Sequence, residues 1–130
     1  ISSCSSTKDM SDAEIAARKQ SKKFAQKLFV DKDVYDEYVS YFEDPKYDDS
    51  ERSEWYDENS HCKPKSVKFL KTKKLKPEWR TYVYRVKSNC GDNIFAVTYA
   101  FEGKNLEPIS VFTTSYEEYP NSWINSTVSN

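Results

Sequence analysis

The spacing of apolar residues changes once along the chain, and this change constrains the fold more than any other feature of the sequence. Up to Phe42, apolar side chains recur with the helical period of about 3.6 residues, whereas after Lys65 they alternate with polar ones. The first pattern predicts helices and the second predicts antiparallel strands. Together they predict an α+β fold, with two N-terminal helices packed on a four-stranded antiparallel meander sheet.

The first helix is predicted from Asp12 to Val30. The segment Ser11–Glu14 is typical of a capping box, with Ser11 as the cap, and the apolar positions that follow share one side. Asp31 or Asp33 is expected to cap a second helix, which ends at Asp44-Pro45 because a residue before proline avoids the helical region. The apolar stripes are Ala17, Phe24, Ala25, Leu28 and Phe29 in the first helix, and Val34, Tyr35, Tyr38, Tyr41 and Phe42 in the second.

Four segments after Lys65 are predicted as strands, because apolar and polar residues alternate in each of them. They lie around Val67 and Phe69 and in residues 79–87, 93–102 and 109–116, with turn residues at 90–93 and 102–105. Residues 46–65 are predicted as a long loop in which 50–57 are a candidate third helix. No helix or strand is predicted after Pro120, where Trp123 and Ile124 are candidates to cover an edge of the sheet.

The chain contains three cysteines, Cys4, Cys62 and Cys90. Cys62 and Cys90 lie in turn-like contexts inside the predicted domain, and we expect them to form a disulfide bond. Such a bond stabilises a domain of this kind by roughly 3 to 4 kcal/mol, because it restricts the unfolded chain. The alternative is three reduced thiols in a cytosolic protein.

The N-terminal residues Ile1-Ser2-Ser3-Cys4, followed by a Ser-rich stretch, resemble the lipobox of bacterial lipoproteins. That resemblance implies that the Cys4 thiol carries a lipid, that residues 1–10 are a lipidation site and polar tether, and that 11–130 form a single extracytoplasmic domain. Ser5 stands where an aspartate would retain the protein at the inner membrane, which favours the outer membrane, facing the periplasm, in a Gram-negative cell. The alternative is an incidental cysteine, or one paired between molecules.

Residues 17–42, followed by the strands of residues 66–115, resemble the cystatin-like and nuclear-transport-factor-2-like α+β folds. This resemblance implies a domain that binds a protein or a ligand. The Gln-x-Val-x-Gly loop of inhibitory cystatins is absent from the sequence, so protease inhibition is not carried over.

We predict no catalytic residue, no cofactor and no metal site. The single histidine, His61, adjoins Cys62, which is assigned to the disulfide, and a zinc site needs about four ligands. The carboxylates of residues 48–51 lack the central glycine of a calcium loop. A net charge of −1 argues against nucleic-acid binding.

A block of acidic residues at 43–58 is followed by a basic block at 63–87, which contains eight Lys and two Arg against the single acid Glu78. Adjacent blocks of opposite charge orient protein partners, and exposed aromatic residues anchor them. The predicted partner surface comprises Trp55, Tyr56, Trp79, Lys71, Lys73, Lys74 and Lys76. The competing interpretation places the three aromatic residues in the core.

The sequence therefore predicts a non-enzymatic, lipid-anchored envelope protein, monomeric or weakly dimeric, that binds an envelope or secreted protein. Assembly accessories, exclusion factors and toxin-immunity or inhibitor proteins belong to this class. The alternative is a small-molecule-binding or catalytic domain with a cone-shaped cavity, which a pocket containing a carboxylate would favour. The glycosylation sequon Asn125-Ser126-Thr127 gives a third interpretation, a secreted eukaryotic protein.

Overall fold

The computed structural model describes residues 2–41, 56–101 and 108–125, with side chains from residue 12 onward. The two helices lie on one face of a four-stranded antiparallel sheet of order β1-β2-β3-β4, so the predicted α+β fold is confirmed. The elements are α1 (Ser2–Lys27), α2 (Lys32–Tyr41), β1 (Pro64–Lys76), β2 (Trp79–Ser88), β3 (Gly91–Ala100), β4 (Pro108–Ser115) and two short 3₁₀ turns, Tyr119–Asn121 and Trp123–Asn125.

Several predictions concern residues outside the described ranges, or reach beyond them. These are the helix stop at Asp44-Pro45, the carboxylates of residues 48–51, the partner residue Trp55, the turn at 102–105 and the last two residues of the sequon. Of the predicted loop, the described part contains a helical turn at residues 56–59.

The two helices differ in how well their start was predicted. The backbone of α1 is helical from Ser2, so Ser11 lies inside the helix and the predicted cap there is wrong. Residues 2–10, predicted as an irregular tether, contain no glycine or proline that would interrupt a helix. In α2, the Asp33 backbone N–H donates to Asp31 Oδ1 at 3.0 Å, which confirms Asp31 as the cap.

The front face of the sheet, defined as the face under the helices, carries the larger core. Tyr82 and Tyr84 of β2 and Tyr99 of β3 are buried there against Phe24 of α1 and Leu28 of the turn that follows it. Two of the three hydroxyls also bind the helix: Tyr84 donates to the Arg18 carbonyl at 2.9 Å, and Tyr99 donates to Gln20 Oε1 at 2.7 Å. The predicted alternation of β2 and β3 is thereby confirmed.

The back face of the sheet, opposite the helices, has a second core. Val83, Ile94 and Ala96 are buried there under Ile124 of the last 3₁₀ turn, which is fully enclosed. On the same face, the Thr81 and Thr98 hydroxyls form a buried hydrogen bond of 2.7 Å. Ile124 therefore covers a face of the sheet, whereas the sequence suggested an edge.

A β-bulge in β1 changes which residues reach the back face. The β1–β2 register shifts between Phe69, which pairs with Tyr84, and Lys71, which pairs with Val83. Phe69 packs into the front core while Leu70 joins the back core, and Lys71 contacts Asn125 on the same side.

Candidate functional site

The predicted partner residues are divided between the two sides of the sheet. Lys71 lies on the back face, where its ammonium is 3.4 Å from Asn125 Oδ1 and 5.8 Å from the centre of the Tyr119 ring. Lys73 pairs with Thr81, and Trp79 follows the same alternation of β2, so both belong to the back face. Lys76 Nζ lies 4.3 Å from the centre of the Trp79 ring.

Two predicted residues lie elsewhere. Tyr56 packs into the front core with its ring 5.0 Å from that of Tyr35, and Lys32 of α2 stands 5.6 Å from it. Lys74 pairs with Arg80, whose guanidinium meets Glu14 of α1 at 3.5 Å, so this position belongs to the front. The described residues therefore do not bring the whole predicted surface together.

The segment after β4 supplies aromatic residues that the prediction did not include. Tyr116 and Trp123 are 39% and 43% exposed. The Arg85 guanidinium lies only 3.6 Å from the centre of the Tyr116 ring, and the Trp123 ring packs edge-on against Phe112 at 5.6 Å. Tyr119 stacks on Tyr116 at 6.1 Å. We call the group Lys71, Arg85, Tyr116, Tyr119 and Trp123 the basic aromatic face.

Ion pairing fixes the arginine of this face. Arg85 donates through Nε and a terminal nitrogen to the two carboxylate oxygens of Asp92 on the neighbouring strand. These hydrogen bonds lower the pKa of Asp92 and raise the pKa of Arg85. Partial burial, with Lys73 nearby, lowers the pKa of Lys71. Arg85 stays charged at neutral pH, because a guanidinium group is not deprotonated in proteins.

Part of the basic aromatic face could have been predicted from the sequence. The alternation of β2 placed Arg85 on the same side as Val83, away from the tyrosine face. Tyr116 and Tyr119 follow directly after a predicted strand. Their contact with Arg85 depends on how the C-terminal segment folds across the sheet, and that segment has no hydrophobic period from which its path can be predicted.

A pocket of about 500 Å³ opens at the other side of the sheet, between the C-terminal half of α1 and the ends of the strands. Apolar side chains form its floor and polar uncharged groups its edge, and no carboxylate is among its described lining residues. The floor comprises Phe24, Ala25, Leu28, Phe29, Val86 and Phe95, and the edge comprises Asn59, Ser88, Asn93, Thr113 and Ser115.

The predicted disulfide between Cys62 and Cys90 is present, with 5.3 Å between the Cα atoms, and it forms one wall of the pocket. His61 Nε2 lies 3.6 Å from Cys62 Sγ, so the adjacent side chains do meet. The three donor atoms of His61, Cys62 and Cys90 lie within 4.8 Å of one another. Because the sulfurs are bonded to each other, neither is a thiolate that attacks a substrate or binds a metal.

Comparison with known proteins gives no match: no family model, no curated protein and no solved structure matches the chain. In the described part of the chain, no helix combines the length and the apolar character needed to cross a membrane. The resemblances to bacterial lipoproteins and to cystatin-like and nuclear-transport-factor-2-like folds therefore stay predictions.

Proposed function

We propose that the chain is a non-enzymatic, extracytoplasmic lipoprotein that binds an envelope or secreted protein through its basic aromatic face. The observation that carries the proposal is the exposure of Tyr116 and Trp123 beside the cations of the sheet. The partner is a protein with an acidic surface that receives these two rings. Cys4 provides the lipid anchor.

The composition of the face suits protein recognition, since tyrosine, tryptophan and arginine dominate the residues that carry binding energy in interfaces. These side chains are also held in place before binding. Arg85 is fixed by Asp92, Tyr116 packs on Arg85 and Tyr119, and Trp123 packs on Phe112. Because side chains that are already ordered lose little entropy on association, this packing favours binding.

The charge of the back face determines the kind of partner. Strand β1 presents Lys68, Lys71 and Lys73 on this side, and the alternation of β2 adds Lys87 beside them, while Arg85 is paired with Asp92. Rows of one sign steer partners of opposite sign and exclude partners of like sign. A complementary surface therefore presents carboxylates around an apolar depression.

Two further features support an extracytoplasmic location. The Cys62–Cys90 disulfide suits an oxidising compartment, because cytosolic reductants keep most thiols reduced. The lipobox-like residues Ile1–Cys4 also favour an extracytoplasmic location.

The test is site-specific photo-crosslinking in the cell that produces the protein, with benzoylphenylalanine in place of Trp123. The control position is Asp36, an exposed residue of α2 on the helix side. We expect a single protein adduct from position 123 that position 36 does not give. With that partner purified, Trp123→Ala should weaken binding at least tenfold, while Val30→Ala, which truncates an equally exposed residue, should not.

Unchanged binding by a folded Trp123→Ala variant would refute the basic aromatic face as the binding surface. The anchor is tested separately by the intact mass of the envelope-purified protein. A chain that begins at Cys4 and is heavier by a diacylglyceryl group supports it, whereas an unmodified mass removes the lipoprotein part of the proposal.

A further inference from the structure

The pocket lies at the end of the front face where the helices stop covering the sheet. The last turn of α1 contributes Phe24, the turn after it contributes Leu28, and the disulfide closes the side near Asn59. Its volume, about 500 Å³, lies within the range of roughly 300 to 1,000 Å³ typical of small-molecule sites.

The chemistry of the lining changes in an ordered way along the strands. On the front face, apolar Val86 of β2 is followed by Ser88 at the strand end, and on β3 Phe95 is preceded by Asn93. On β4, Thr113 pairs with Phe95 and continues the polar edge. The pocket therefore has an apolar floor under α1 and a hydrogen-bonding edge toward solvent.

The lining also excludes one class of ligand. No Lys, Arg, Asp or Glu is among the described residues around the pocket. An ionised group that enters an apolar site without a partner of opposite charge loses its hydration at a large cost in free energy. A ligand part that is buried against these described residues should therefore be uncharged.

We propose that this pocket binds an uncharged amphipathic small molecule. Its apolar body lies against Phe24, Leu28 and Phe95, and its hydroxyl, amide or ester end bonds to the polar edge at Ser88, Asn93 and Thr113. The side chains to which we assign the ligand lie on the front face of the sheet, opposite the basic aromatic face.

The experiment uses the neutral fluorescent amine N-phenyl-1-naphthylamine as a probe for the whole, disulfide-bonded protein. We expect its fluorescence to rise on binding and 1-decanol to displace it. Decanoate, which has the same chain length and a negative charge at neutral pH, should displace it at least tenfold less well. No fluorescence rise, or equal displacement by both competitors, would overturn the proposal.

Two variants locate the binding. Ala25→Phe places a ring in the pocket and should weaken probe binding at least tenfold, whereas Ala16→Phe, at a partly exposed alanine of the same helix, should leave it unchanged. Circular dichroism establishes that each variant is folded. If Ala25→Phe does not fold, Leu28→Phe replaces it, with the same expectation. A folded pocket variant that binds the probe like the original protein would contradict the assignment.

Discussion

Two tyrosines of β2 offer a sharp test of how α1 is held on the sheet. Tyr82 and Tyr84 lie on the same strand and face, and both are buried, with exposures of 0% and 1%. Their hydroxyls differ. The Tyr84 hydroxyl donates to the Arg18 carbonyl at 2.9 Å and lies 2.7 Å from Ser21 Oγ, while the Tyr82 hydroxyl has no hydrogen-bond partner within the described part of the chain.

The same substitution should therefore have opposite effects at the two positions. Tyr84→Phe removes the hydroxyl's contacts with Ser21 and the Arg18 carbonyl, while Ser21 keeps its own hydrogen bond to that carbonyl at 3.2 Å. The free energy of unfolding should therefore fall by about 0.5 to 1.5 kcal/mol. Tyr82→Phe removes a buried hydroxyl whose burial is not compensated, and this should be neutral or should stabilise by about 1 kcal/mol. The two variants should thus differ by roughly 0.5 to 2.5 kcal/mol.

Urea denaturation followed by circular dichroism measures the difference. With a slope of about 2 kcal/mol/M, a loss of about 1 kcal/mol moves the midpoint by about 0.5 M. Ser21→Ala combined with Tyr84→Phe completes a double-mutant cycle, and a coupling energy above about 0.5 kcal/mol is expected for residues in direct contact. Equal destabilisation by both Tyr→Phe variants would refute the reasoning, because the hydroxyl contacts would then not determine stability.

Two further predictions concern the whole domain. Burial raises the pKa of Tyr38 to about 12 and also raises the pKa values of Tyr84 and Tyr99. Such tyrosines contribute stability that is complete below the unfolded pKa of about 10 and is lost as pH rises toward the folded values, because the unfolded chain releases its protons first. We therefore expect the urea midpoint to fall above pH 10, with a step in tyrosinate absorbance at unfolding; a midpoint constant up to pH 12 would contradict this. Replacing both Cys62 and Cys90 by alanine removes a link between residues 28 apart in sequence. This should lower the free energy of unfolding, measured by urea denaturation, by roughly 3.5 kcal/mol. The original protein under reducing conditions is the matched control, and a loss below 1 kcal/mol would show that the unfolded chain is little restricted by the bond.

The sequence predicted those parts of the fold that depend on local periodicity. The stripes of α1 and α2, the alternation of β2 and β3, and the Asp31 cap all arise from neighbours a few residues apart in the chain. The predicted start of α1 was wrong, because Ser11-Asp12-Ala13-Glu14 fits a capping box but is equally compatible with a helix that continues through it.

The candidate site was less predictable, since it depends on contacts between distant segments. The bulge at Leu70 arises from the pairing of β1 with β2 and moves Lys71 to the back face. The contact between Arg85 and Tyr116 requires the C-terminal segment to cross the sheet. Neither the bulge nor this contact can be recognised from a few neighbouring residues in the sequence. The predicted surface therefore combined Tyr56 with residues of the opposite face.

The position of Ile124 has a consequence for how the protein is made. α1 precedes the sheet in the chain and Ile124 follows it, yet both cover faces of the same strands. A chain emerging from the ribosome therefore cannot close its second core until residue 124 is released. For a protein that we propose to be exported, the second core is therefore still open during most of its synthesis.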